Sequence, residues 1–201
     1  MIIGLVVCAV AHPEGLRAQD NQKASGQENF VLNGGFENEK SIGRAPAQWW
    51  PQVNVEKIEE HARVDDKDVF KGKRSLKISG VYGVTAQVKK PEVGHTYEIS
   101  AWMKAEKDRT VIRLGFNACA TAKPGAEVKR SSIGEKDGRP YYHYYELPET
   151  VIGTKWQKVE NKFTLTNKWL DGIVDFQVRL DTFDNTVWID EVKMIKDKKP
   201  Q

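Results

Sequence analysis

Residues Thr96 to Met103 read TYEISAWM, and their alternation decides the fold class. Tyr97, Ile99, Ala101 and Met103 fall on one side of an extended chain, and Glu98, Ser100 and Trp102 on the other. A period of two places successive side chains on opposite faces of a strand, with one face apolar and one wetted. The same rhythm recurs downstream. Val111 to Asn117 (VIRLGFN) turns Ile112, Leu114 and Phe116 inward against Arg113, Gly115 and Asn117. Asp175 to Asp181 (DFQVRLD) turns Phe176, Val178 and Leu180 inward against Gln177, Arg179 and Asp181. Ser75 to Ser79 buries Leu76 and Ile78, Thr186 to Ile195 buries Val187, Ile189 and Val192, and Val159 to Leu165 buries Val159, Phe163 and Leu165 with an imperfect pattern.

Turn-forming pairs punctuate these runs, among them Asn33-Gly34-Gly35, Lys71-Gly72-Lys73, Lys123-Pro124-Gly125, Asp137-Gly138 and Asp171-Gly172. Short half-buried strands between such turns predict an all-β protein, an antiparallel two-sheet sandwich. Only Ile58 to Val64 (IEEHARV) reads equally as helix or strand. The chain of 201 residues is long enough for one core, and 39% hydrophobic with 29% charged residues describes a globular domain with a wet surface. A net charge of +3 from Lys+Arg 31 and Asp+Glu 28 is too mild for an electrostatic grip on nucleic acid.

The ends read differently. Met1 to Ala11 (MIIGLVVCAVA) is apolar and uncharged, short for a membrane span and suited to the apolar segment of a secretion signal. Cleavage could follow Ala11 or Ala18, although the basic residues that usually precede such a segment are missing. The rival readings are a lipidated Cys8 and a buried N-terminal strand. The expected organisation is a signal over residues 1–18, a polar linker over 19–28, the sandwich over 29–196 and a charged tail over 197–201, with a secreted or periplasmic destination and no membrane contact beyond the leader. Without the leader, Cys119 is the lone cysteine, so no disulfide framework is available.

Several stretches taken together resemble a known family. Phe30 to Glu37 (FVLNGGFE) resembles the opening strand of carbohydrate-binding modules of families 4, 9, 16 and 22, which accompany bacterial cellulases and xylanases. Trp49-Trp50, Gly72 to Ile78 (GKRSLKI), Pro91 to Lys104, Trp156 to Leu165 and Val187 to Val192 (VWIDEV) follow in the family's order. The segment from Cys119 to Thr154, with Tyr141 to Tyr145 (YYHYY), departs from it. The resemblance implies a galactose-binding-like jelly roll that binds a polysaccharide or oligosaccharide without cleaving it, alone or beside a separate carbohydrate-active enzyme. It also implies structural Ca²⁺ held by Glu37 and Asp190 with backbone oxygens from Lys73 and Ser75, because hard cations take six to eight oxygens.

Sugar recognition needs flat aromatic faces for the apolar faces of pyranose rings, and planar polar groups for their hydroxyls. The non-core positions supply Trp102, Arg113, Asn117, Gln177 and Arg179, which form one surface if their strands share a sheet; the alternative is an ordinary solvated face. Tyr142 and Tyr144 extend this candidate ligand-binding set as stacking platforms. Trp49 and Trp50 divide between core and surface, Trp156 and Trp188 belong to the core or its edge, and Trp169 lies in a turn. Enzyme signatures are thin: no HExxH, no nucleotide-type glycine loop and no cysteine cluster are present. The sharpest catalytic rival is a β-elimination lyase with His143 or a tyrosine as base and Arg113 or Arg179 neutralising a uronate. The third candidate is a surface module with protein partners.

Overall fold

The protein is described by a computed structural model covering residues 27–37, 42–43, 46–52, 56–121, 141–145, 148–165 and 173–197, with the side chains of 119–121, 141–145 and 173–175 outside that description. The leader, most of the linker, Trp169, and the expected turns at 123–125, 137–138 and 171–172 lie outside the described residues.

Among the described residues, eleven strands and one helical turn follow in order: β1 (Trp49–Pro51), α1 (Ile58–His61), β2 (Ala62–Asp65), β3 (Ser75–Ile78), β4 (Gly83–Gln87), β5 (Thr96–Ala105), β6 (Thr110–Thr121), β7 (Tyr141–Tyr145), β8 (Glu149–Ile152), β9 (Gln157–Thr164), β10 (Ile173–Asp181) and β11 (Val187–Lys196). All pairings are antiparallel. One sheet runs β1-β4-β10-β6-β7, with β8 pairing the other half of the same β6 edge. The second runs β2-β3-β11-β5-β9. The expected all-β sandwich is the observed architecture.

The inward residues read from the alternation make the core. Tyr97, Ile99, Ala101 and Met103 of β5 are buried, as are Ile112, Leu114 and Phe116 of β6 and Phe176, Val178 and Leu180 of β10. A run of rings joins the two layers: Tyr97 stacks on Phe163 at 5.7 Å, Phe163 on Phe116 at 4.5 Å, and Phe116 on Phe176 at 5.9 Å. Each such pair contributes about 0.5–1.5 kcal/mol beyond the burial of its area. The imperfection in β9 has a physical reason. Asn161 holds a half-buried position between Val159 and Phe163, and its amide donates to the Leu114 carbonyl of the opposite sheet at 3.4 Å. The ambiguous IEEHARV segment divides: Ile58 to His61 makes one helical turn against the core, then Ala62 and Val64 bury alternate strand positions.

The Gln27 side chain donates to the Lys196 carbonyl, and Asn29 bridges to Ile195. Among the described residues, no helix is long and apolar enough to cross a membrane.

Candidate functional site

Four of the predicted ligand-binding residues meet on one outer face. Arg113 and Asn117 project from β6, and Gln177 and Arg179 from β10, opposite buried neighbours at each step. The β6–β10 register pairs Gln177 with Asn117, Arg179 with Gly115 and Asp181 with Arg113. The Asn117 amide donates to Gln177 Oε1 at 3.4 Å.

Strands β4 and β1 widen this face. Gln87, Thr85 and Gly83 stand opposite Gln177, Arg179 and Asp181, and Trp50 stands opposite Thr85. Trp49 is buried against Phe36, while Trp50 is half-buried on the outer side, so the adjacent rings divide as strand parity demands. One row therefore reads Trp50, Thr85, Arg179, Gly115, and the next reads Gln87, Gln177, Asn117. Backbone pairing sets Tyr144 across from Asn117 and Tyr142 across from Cys119; the two tyrosine side chains lie outside the described residues. The accessible part of the face lies around Trp50, Gln87, Arg113 and Arg179, whereas Asn117 and Gln177 are only 1% and 5% exposed.

Charge on this face is internally matched. Asp181, itself buried, accepts from Arg179 Nε at 2.8 Å and from Gln52 Nε2 at 2.9 Å. Gln52 also donates to the Leu180 carbonyl, and Gly83 leaves the room: a Cβ there would stand 2.2 Å from the Leu180 carbonyl oxygen and 2.6 Å from Gln52 Nε2. Arg113 donates to Glu149 at 2.5 Å, a bond that raises the pKa of the guanidinium, and it lies over the Phe183 ring at 5.1 Å. Asn117 Oδ1 is buried with no hydrogen-bond partner among the described residues. Leaving such an acceptor unsatisfied costs about 1–3 kcal/mol, so it is a place for a donor to arrive.

Trp102 does not join this face. Its strand, β5, belongs to the other sheet, between β11 and β9. There the indole stacks on Phe70 at 3.8 Å and 12°, with Trp156 6.0 Å from Phe70. Parity along the chain settles inside against outside but does not say which sheet a strand enters, and this is why the expected shared surface loses Trp102. Trp188 is 7% exposed, yet it too faces outward on this second sheet, with Lys77 and Lys104 ammonium groups 4.7 and 4.8 Å from its ring and its indole N–H donating to Asp65. Sequence reading omitted Trp50, Gln52, Thr85 and Gln87 from the site. The GVTAQ alternation of Gly83 to Gln87 was the available signal for the last two.

The four residues of the expected metal site gather at one turn. Glu37 Oε1 accepts from the Lys73 and Arg74 amides at 2.8 and 3.0 Å. Asp190 Oδ2 accepts from the Phe70 and Lys71 amides at 3.1 and 2.9 Å, and Ser75 donates to the Asp68 carbonyl. Gly72, at φ +78°, passes so close that a Cβ would stand 2.2 Å from Glu37 Oε1. Asp190 is fully buried and has no ion-pair partner among the described residues; burial pushes its carboxyl up to about 6. A desolvated anion of this kind suits a hard cation. No three His, Cys, Asp or Glu side chains converge among the described residues, so an ion here would depend on backbone oxygens as well as Glu37 and Asp190.

The likenesses to known proteins agree with this architecture. The CBM22-1 xylan-binding domain of Paenibacillus barcinonensis Xyn10C superposes with a TM-score of 0.52 at 16% identity, over 78% of this chain and 90% of that one. A family 16 carbohydrate-binding module gives a TM-score of 0.50 at 16% identity, over 83% and 99%. The CBM22-1-GH10 modules of Clostridium thermocellum xylanase 10B, complexed with xylohexaose, give 0.55 at 11% identity, over 84% of this chain and 29% of that chain. No curated protein matches the sequence significantly. Residues 28–184 match the family described as carbohydrate binding domain, which is most of the chain. On that match, and with a two-sheet antiparallel sandwich around the matched strands, the chain belongs to the carbohydrate-binding domain family.

Proposed function

We propose that the outer face of the β1-β4-β10-β6-β7 sheet binds a polysaccharide or oligosaccharide chain without cleaving it. The observation that carries this is the register of that face: Trp50, Thr85 and Arg179 lie in one row, beside Gln87, Gln177 and Asn117 in the next. The indole removes the apolar face of a pyranose from water, and guanidinium and amide groups read its hydroxyls. Asn117 Oδ1 then accepts from a ligand hydroxyl the bond it lacks among the described residues. The proteins it resembles in fold include a xylan-binding domain, so β-1,4-linked xylan, glucan and mannan are the first ligands to try. Affinity electrophoresis tests the reading: the domain should be retarded by one of these polymers, and Trp50→Ala should run unretarded with an unchanged melting temperature. Retardation that survives Trp50→Ala would remove this face from the reading.

The lyase alternative meets an obstacle among the described residues, while His143 and its neighbouring tyrosine side chains lie outside them. Arg113 and Arg179, the residues a uronate lyase would need, are both engaged by carboxylates, Glu149 and Asp181. A rise in ultraviolet absorbance on incubation with a uronate polymer would nevertheless establish an eliminase. We further propose that Ca²⁺ occupies the turn between Glu37 and Asp190, with backbone oxygens of Lys73 and Ser75, where it would neutralise the buried Asp190 carboxylate. The domain is proposed to act outside the cytoplasm, where polysaccharides are met, with a carbohydrate-active enzyme as partner.

A further inference from the structure

The row that contains Arg113 does not stop at the sheet edge. Arg113 pairs across the strands with Asp181 on one side and with Glu149 of β8 on the other. Glu149 also lines a concavity of about 470 Å³ at the β5–β6 end of the sandwich. Val111 and Phe183 supply apolar wall there, and the Phe183 ring is the one beneath the Arg113 guanidinium, so concavity and sugar-binding face are continuous. The rest of the lining comes largely from the β5–β6 hairpin, including Lys107, Asp108 and Arg109.

Two cations, Lys107 and Arg109, and two anions, Asp108 and Glu149, line this hollow, and they differ in how far they are engaged. Glu149 is paired with Arg113. Asp108 accepts from the Thr154 amide and hydroxyl at 3.1 and 3.2 Å. Lys107 and Arg109 are exposed and have no ion-pair or hydrogen-bond partner for their side chains among the described residues. Glu106 and Asp184 flank the hollow without lining it. The backbone here is held in an uncommon region: Arg109 at φ +57° and Phe183 at φ +50° both line the hollow, and Asp184 at φ +64° follows. For large side chains that conformation costs about 1 kcal/mol or more, and such outliers gather where a side chain has a task.

We infer that this hollow is a subsite for an acidic sugar unit, a uronate whose carboxylate meets Lys107 and Arg109 while its ring lies against Phe183 and Val111. The inference rests on the carbohydrate-binding reading of the adjoining face and names the class of glycan it favours, an acidic polysaccharide over a neutral one. Exposed cations are screened by salt, so the preference belongs to low ionic strength.

The test uses matched polymers: glucuronoxylan against the same polymer with its carboxyls reduced, and carboxymethylcellulose against hydroxyethylcellulose. Binding is measured for the full chain and for the Lys107→Gln/Arg109→Gly double variant. Glycine accepts the left-handed conformation at position 109, so the variant should melt no lower than the parent. Expected is a preference of about threefold to tenfold for the acidic member of a retained pair, abolished in the double variant while its binding of the neutral member is unchanged. Equal binding of both members overturns the subsite and leaves the carbohydrate reading intact, as does a preference that survives in the variant. Retention of none of the four polymers overturns the subsite, and failure of mannan as well overturns the carbohydrate reading.

Discussion

Lowering the pH should stabilise the metal-free domain through Asp190. This carboxyl is fully buried, and three backbone amides, those of Phe70, Lys71 and Glu191, donate to it, with no ion-pair partner among the described residues. Desolvation raises it from the ordinary 3.8 to about 6. Between those values the folded chain holds a proton that the unfolded chain has released, so stability falls as pH rises. The contribution is fully present below 3.8 and is lost as pH rises through about 6. At about 1.4 kcal/mol for each pH unit, the interval is worth about 3 kcal/mol. Glu92 and Glu160, held low by hydrogen bonds from Lys196 and Lys158, work in the opposite direction, so the raw pH curve mixes both signs. Asp190→Asn isolates the contribution of this carboxyl: it keeps the shape, gives up one acceptor at every pH and no longer titrates. Urea unfolding followed by tryptophan fluorescence, in chelator, should show parent minus variant stability growing by about 2 kcal/mol from about pH 7 to about pH 4, and towards the full value of about 3 kcal/mol at lower pH. A flat difference refutes the account of Asp190 as a buried, desolvated carboxyl. Repeating the series with Ca²⁺ separates the metal proposal. Bound calcium favours the ionised form, so it should stabilise the parent at pH 7, lose that effect as protons compete, and do little for Asp190→Asn. Identical melts with Ca²⁺ and chelator would remove calcium while leaving the pH argument standing.

Other perturbations test the placement of individual side chains. Trp102→Ala should leave glycan binding unchanged and cost about 1–3 kcal/mol, because the indole covers Phe70 on the second sheet; weakened binding with an unaltered melt would return Trp102 to the ligand site. Gly83→Ala should cost about 2–4 kcal/mol in urea, since its new methyl would press on the Leu180 carbonyl oxygen of the neighbouring strand and displace Gln52. Parental stability in that variant would show that β4 and β10 do not approach so closely.

Long strands with one apolar face were legible from the sequence. TYEISAWM, VIRLGFN and DFQVRLD each fill three or four core positions, and the burial of every one of those inward residues follows the alternation. Short strands carried too few repeats to stand out. GVTAQ offers only Val84 and Ala86 as inward groups, and β1 is three residues long. Half of the IEEHARV segment forms a helical turn and half a strand, so no single period describes it. Asn161 breaks its strand's pattern because a bond to the opposite sheet replaces apolar contact. Sheet membership was the larger loss. Arg113, Asn117, Gln177 and Arg179 come together because β6 and β10 are neighbours, whereas Trp102 has the same outward parity on the opposite layer. That assignment depends on long-range pairing, which local alternation does not encode. The missing aromatic group was Trp50, whose outward position needs both its parity and its pairing with β4.

The most direct measurement is a backbone-amide NMR titration of the isotope-labelled domain with the oligosaccharide of whichever polymer retards it most. Shifts should concentrate on β4, β6 and β10 around Thr85, Gln87, Asn117, Gln177 and Arg179, with the Trp50 indole signal moving early and the Trp102 and Trp188 indoles still. Shifts centred on β3, β5 and β11 instead would place the ligand on the opposite layer and contradict the assignment of the sugar to the Trp50–Arg179 face.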